Sequence, residues 1–205
     1  MDIHKFKKLP LMGILRGIEL GVVEPLVEAI VDSGLKTIEI TMNTKDAEDI
    51  IRRAVEAAKK RLTIGAGTVL GMESLKRALQ AGASFIVMPV LHRDVTAYCV
   101  KNKIPSFPGA LTPQEIYDAW QAGATMVKVF PARVFGPDYF KEIKGPFNDI
   151  ELLACGGVRP ENLKEYFANG ASAASFGDSV FKKEWLSAGD YSRISESIRQ
   201  FIRQL

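Results

Sequence analysis

One lysine stands inside a short apolar run, Met126-Val127-Lys128-Val129-Phe130-Pro131, whose β-branched residues read as a buried strand. An ammonium taken out of water is costly unless it is paired or neutralised. Two readings compete: a structural ion pair, or chemistry that needs a free amine, namely attack on a carbonyl to give a Schiff base. The second requires burial to hold the amine below its ordinary value, and an ionised carboxylate nearby opposes that. A second charged residue, Glu39, is set in the same way between Ile38 and Ile40. It is the candidate partner, either as the other half of a salt bridge or as a proton-transfer group.

Further polar groups fall at the C-terminal ends of similar runs. Arg16 closes the first and has the planar donor fork that holds a carboxylate, although arginines there also form surface ion pairs. Thr68 follows Gly65-Ala66-Gly67, where bare backbone admits a ligand or simply caps a turn. Gly156-Gly157 and Gly177-Asp178-Ser179 offer free N–H groups to an anion. Pro89 and Phe130 read as an apolar wall or as plain core. Arg133 reads as solvated surface and His92 as a helix start without chemistry. Cys99 and Cys155 lack metal spacing and read as free thiols; with only His4 and His92 beside them, no metal site is expected.

Short β-type runs alternate with helical patterns along the whole chain, the mark of a parallel α/β sheet. Eight strands are predicted, over Leu11–Arg16, Thr37–Thr41, Leu62–Thr68, Phe85–Pro89, Pro105–Leu111, Met126–Pro131, Ile150–Gly156 and Ala173–Gly177. Helices are predicted at Val22–Ser33, Lys45–Lys60, Met72–Ala81, Arg93–Asn102, Pro113–Ala122, Asp138–Ile143, Pro160–Asn169 and Tyr191–Gln204, after a short N-terminal helix. Eight strand–helix units in 205 residues predict a single-domain (β/α)8 TIM barrel spanning 1–205. An open doubly wound sheet is disfavoured because Gly13-Ile14-Leu15-Arg16-Gly17 lacks the dinucleotide-binding spacing. Gly34, Gly82, Gly123 and Gly170 end the helices that precede the even strands, and five residues beyond each lie Glu39, Val87, Lys128 and Ser175. Equal offsets on alternate strands predict one shared interior layer, with Glu39 and Lys128 both facing the barrel axis.

Hydrophobic residues at 47% and charged residues at 25% match a globular protein, which excludes a disordered or membrane-spanning chain. The net charge of +3 is scattered, so no nucleic-acid partner is expected, and the mixed-charge start is no signal peptide; a cytoplasmic location follows.

Four stretches taken together carry a family resemblance. Ile38-Glu39-Ile40-Thr41, Ile64-Gly65-Ala66-Gly67-Thr68-Val69, Val127-Lys128-Val129-Phe130-Pro131 and Gly156-Gly157-Val158 resemble the class I 2-keto-3-deoxy-6-phosphogluconate (KDPG) / 4-hydroxy-2-oxoglutarate (KHG) aldolases over nearly the whole chain. The resemblance implies a homotrimeric barrel that cleaves a 4-hydroxy-2-oxo acid to pyruvate and an aldehyde without cofactor or metal. It implies Lys128 as Schiff-base lysine and Glu39 as acid/base. Thr68, Pro89 and Phe130 match the substrate pocket, Arg16 the carboxylate side, and Gly156, Gly157 and Ser179 the phosphate end. Asn43 departs from the arginine common in gluconate-type members, and Thr41-Met42-Asn43-Thr44 is closer to the 2-keto-3-deoxy-6-phosphogalactonate aldolases, whereas the tail Ala188-Gly189-Asp190-Tyr191 is similar to the gluconate type. The expected substrates are 2-keto-3-deoxy-6-phosphogluconate and 4-hydroxy-2-oxoglutarate, with the galactonate activity as the alternative. Asp178 and Cys155 replace the more usual glycine and threonine or valine, and a carboxylate beside a phosphate repels it. Two rivals stay open: a phosphate-binding barrel isomerase or decarboxylase, and a non-catalytic 2-oxo-acid-binding barrel.

Overall fold

The computed structural model describes residues 1–205. Parallel strands β1 (Leu11–Leu15), β2 (Thr37–Thr41), β3 (Thr63–Gly67), β4 (Ile86–Val87), β5 (Ser106–Phe107), β6 (Gly109–Ala110), β7 (Val127–Val129), β8 (Leu152–Cys155) and β9 (Ala173–Phe176) form one sheet. Its order is β5-β4-β3-β2-β1-β9-β8-β7-β6. The two ends are one polypeptide stretch, because β5 and β6 are halves of the predicted fifth stave. Pro108, which has no N–H for the ladder, divides them. Its carbonyl still accepts from the Lys128 N–H at 2.9 Å, so the eight predicted staves close into a barrel.

Helices α1 (Ile3–Lys8), α2 (Val23–Ser33), α3 (Ala47–Ala58), α4 (Met72–Gln80), α5 (Arg93–Lys101), α6 (Pro113–Gln121), α7 (Asp138–Lys144), α8 (Pro160–Ala168), α9 (Lys183–Ser187) and α10 (Tyr191–Ile202) accompany the staves. The five-residue α9 lies outside the predicted set: it is too short to show a helical period. The predicted stop signals hold. Gly34, Gly82, Gly123 and Gly170 all have left-handed φ between 91° and 101°. Thr112 and Glu115 cap α6 reciprocally, with Pro113 as its first residue.

Parity along the staves separates two apolar layers. Ile38, Ile40, Val127 and Val129 face outward into a core of 49 buried residues beneath the helices. Met12, Phe85, Val87, Phe107, Met126, Leu153, Cys155 and Ala173 fill the barrel interior, with Phe6 of α1 plugging the N-terminal end edge-on against Phe107. Only nine apolar residues fill this inner layer, so the barrel's C-terminal end is left for polar side chains. Those are the ones Glu39 and Lys128 supply.

Candidate active site

Glu39 pairs in register with Ile14 and Gly65, and Lys128 with Gly109 and Leu153, so both side chains emerge on the inner face as the equal offsets predict. They are 1% and 6% exposed. No direct ion pair of 4 Å or less joins them; the simple salt-bridge reading of Lys128 is therefore not what the fold builds. One carboxylate oxygen of Glu39, Oε2, is buried and receives no hydrogen bond from any group of the protein itself.

The electrostatics of the pair differ from the expectation for the lysine. Burial is the largest influence on Glu39 and raises its carboxyl above the ordinary range, against the opposing charges of Lys128 and Arg16. Burial is also the largest influence on Lys128 and favours the neutral amine, but the neighbouring Cys155 and Glu39 outweigh it and hold the amine above its ordinary value. A proton has to leave Lys128 before the nitrogen can attack.

Gly67 gives Glu39 its room. A Cβ placed there would lie 2.6 Å from Oε1 of the carboxylate, although the Gly67 backbone is not left-handed. Gly67→Ala is expected to fold normally while displacing the carboxylate, with kcat falling about 100-fold, the scale of a misplaced reacting group. Circular dichroism and steady-state kinetics check the two halves of that statement.

A cavity of about 910 Å³ opens at the C-terminal ends of the staves, where barrel enzymes carry their sites. Of the predicted residues it brings together Arg16, Lys128, Phe130, Gly156, Gly157 and Ser179. The Lys128 Nζ lies 5.2 Å from the Phe130 ring centroid. Glu39, Thr68 and Pro89 are not among its walls. Half-buried Thr68 is held at φ 55°, a costly conformation for a β-branched residue and one found at functional sites. Pro89 is half-buried, and its carbonyl fills the space that a side chain at Gly109 would need. Asn43 is exposed and lines neither large cavity.

The loops are fixed by contacts that the sequence does not announce. Thr44 is buried, shares a 2.9 Å hydrogen bond with the Thr41 hydroxyl and accepts from the Gly17 N–H at 3.0 Å. This ties the loop after β2 to the one carrying Arg16. Gly156 and Gly157 adopt φ of 91° and 89°, open to glycine with little strain, and their N–H groups donate to no protein acceptor. Arg133, expected on the surface, is exposed but also lines the cavity. So does Lys182, whose ammonium rests 4.4 Å from the Trp185 ring centroid of α9.

Comparison with known proteins agrees with this geometry. A family model described as KDPG and KHG aldolase matches residues 3–197. A 2-dehydro-3-deoxy-6-phosphogalactonate aldolase of Escherichia coli strain K12 is 37% identical over 85% of this chain and 86% of its own length. A 2-dehydro-3-deoxy-phosphogluconate aldolase of Pseudomonas aeruginosa is 33% identical over 88% and 82%. The structure of a KDPG aldolase from Legionella pneumophila, with pyruvate captured at low pH as a covalent carbinolamine intermediate, superposes with a TM-score of 0.86 at 26% identity. It covers 93% of this chain and 92% of that one. Barrel, buried lysine and matched relatives converge, and the chain belongs to the KDPG and KHG aldolase family.

Proposed function

We propose that this protein is a class I aldolase that reversibly cleaves a 2-keto-3-deoxy-6-phospho sugar acid, or 4-hydroxy-2-oxoglutarate, to pyruvate and an aldehyde. The observation that carries the reading is the pair of buried groups facing the same barrel interior, Lys128 on the wall of a cation-lined cavity and Glu39 close enough that the charge of each acts on the other. Lys128, once deprotonated, adds to the C2 ketone; the carbinolamine loses water and becomes an iminium. Glu39, through a water, takes the C4 hydroxyl proton as the C3–C4 bond breaks, and the bond's electrons pass into the iminium to give an enamine. The aldehyde leaves, the proton held by Glu39 returns to C3, and hydrolysis frees pyruvate and the amine. Arg16, whose charge acts on both Glu39 and Lys128, holds the substrate C1 carboxylate in this reading. Thr68, Pro89 and Phe130 shape the pocket, and the N–H groups of Gly156 and Gly157 with Ser179 receive the phosphate.

The experiment that tests this couples pyruvate release to lactate dehydrogenase. Gluconate-type, galactonate-type and 4-hydroxy-2-oxoglutarate substrates are compared by kcat/KM. Cleavage of none of them refutes the reading. The galactonate-type substrate is favoured by the 37% identity to the galactonate enzyme and by the galactonate-like stretch Thr41-Met42-Asn43-Thr44, against the gluconate-like tail Ala188-Gly189-Asp190-Tyr191. Residues 1–205 then act as one domain, and the assembly is a homotrimer. Exposed Leu70, Val90, Val134 and Phe135, on loops after β3, β4 and β7, supply apolar surface for a second copy to cover. Sedimentation of the purified chain at three times its monomer mass is the expected result. No helix is long and apolar enough to cross a membrane.

A further inference from the structure

The large cavity carries more positive charge than a pyruvate half needs. Arg16, Lys128, Arg133, Arg159 and Lys182 line it against two carboxylates, Asp178 and Glu161, and none of these five cations has an acidic partner within 4 Å. The surplus matches a ligand with one carboxylate and one phosphate, together about three negative charges at neutral pH. Arg16 and Lys128 belong to the carboxylate and ketone end. At the other end Arg133 is tied to the Gly156-Gly157 turn. Its N–H donates to the Gly156 carbonyl at 2.9 Å, and the beginning of its side chain lies so close that a Cβ on Gly157 would come within 2.5 Å of the Arg133 Cβ. Its guanidinium makes no hydrogen bond within the protein. Asp178 lines both this cavity and a second one of about 830 Å³, and its carboxylate repels an anion bound in the cavity they share.

We propose that Arg133 binds the terminal phosphate of the aldehyde half and offsets the repulsion from Asp178, which makes it a specificity-determining residue for phosphorylated substrates. This rests on the aldolase reading and adds to it a residue from the loop after β7, fixed on the glycine turn by its own backbone and stem. A fork of donors there captures an oxyanion in bidentate fashion, which the bare N–H groups alone do not achieve against a nearby carboxylate.

The test is Arg133→Met, which keeps the stem and removes the charge. For the phosphorylated sugar acid that the wild type cleaves best, KM is expected to rise about 10- to 100-fold, the size of one charge-assisted hydrogen bond. KM for its unphosphorylated counterpart and deuterium exchange into the pyruvate methyl group are expected to change by less than about twofold, since neither presents a phosphate. Asp178→Gly added to Arg133→Met is expected to recover part of the lost affinity. An unchanged KM in the single variant, or an equal rise for both sugar acids, overturns the proposal while leaving aldol cleavage intact. A wild type that neither exchanges pyruvate protons nor cleaves any substrate overturns the aldolase reading, and this proposal with it.

Discussion

Lys128→Met is expected to lower kcat/KM by on the order of ten-thousand-fold or more, because it removes the atom that carries the covalent intermediate rather than one that assists it. Wild-type protein treated with borohydride and pyruvate is expected to gain a reduced adduct on Lys128, located by peptide mass spectrometry. The variant is expected to gain none. Wild-type Lys128 left unmodified after that treatment sinks the Schiff-base mechanism and leaves the phosphate-binding isomerase and the non-catalytic binder as the standing alternatives. Methionine is the informative replacement because it keeps an unbranched side chain against Phe130 and Cys155, so the barrel floor stays filled. A second readout follows from the charge removed. The Lys128 ammonium acts to lower the Glu39 carboxyl, which burial raises. Without it the Glu39 titration moves further up, a change visible in a carboxyl-resolved infrared or NMR titration of the variant.

Two kinds of signal made the floor of this site readable before any coordinates. A charge in the middle of a β-branched run is conspicuous, and period-two alternation then decides which way it points. Ile38 and Ile40 on one side, Val127 and Val129 on the other, leave Glu39 and Lys128 only the barrel interior. The helix-ending glycines supplied the register between distant staves, since a left-handed stop at a constant distance from the strand places residues at the same height. The rim carried no such signal. Arg133 and Lys182 lie on loop segments outside the buried core, where neither period nor burial constrains direction, and Thr44 is a polar loop residue whose burial no sequence pattern announces. Whether an arginine there meets water or a ligand depends on how three or four loops lie against each other. Pro108 shows a smaller limit: its missing N–H splits a stave without bending the fold, because its carbonyl still serves Lys128. The balance of influences on Lys128 was also out of reach. Burial alone lowers the amine, and the opposing upward pull comes from Cys155 and Glu39 beside it.

Glu39→Gln separates imine formation from the proton transfers that follow it. The amide keeps the shape and cannot accept a proton, so borohydride trapping of pyruvate is expected to survive while kcat falls about 100- to 10,000-fold, the range for a lost general acid–base. Unchanged turnover removes Glu39 from the mechanism. The raised carboxyl makes two pH predictions. In the wild type the acid limb of kcat/KM reports loss of the Glu39 carboxylate and lies above the ordinary carboxylate value of 4.5; in the variant that limb disappears. For stability the sign runs the other way from a salt-bridged acid. The folded value is raised, so the native state holds the proton more tightly than the unfolded chain. Glu39 therefore contributes most below pH 4.5, and its contribution is lost as pH rises through the folded value. Above it the fold carries a buried carboxylate whose Oε2 receives no hydrogen bond from the protein itself. The glutamine variant has no such titration, so its melting temperature is expected to gain on the wild type as pH rises from the ordinary value of 4.5 through the raised folded value. A difference in Tm that stays flat across that interval contradicts the raised carboxyl. A variant that is slower and also more stable near neutrality is the signature of a group held in an unfavourable place for the reaction it performs.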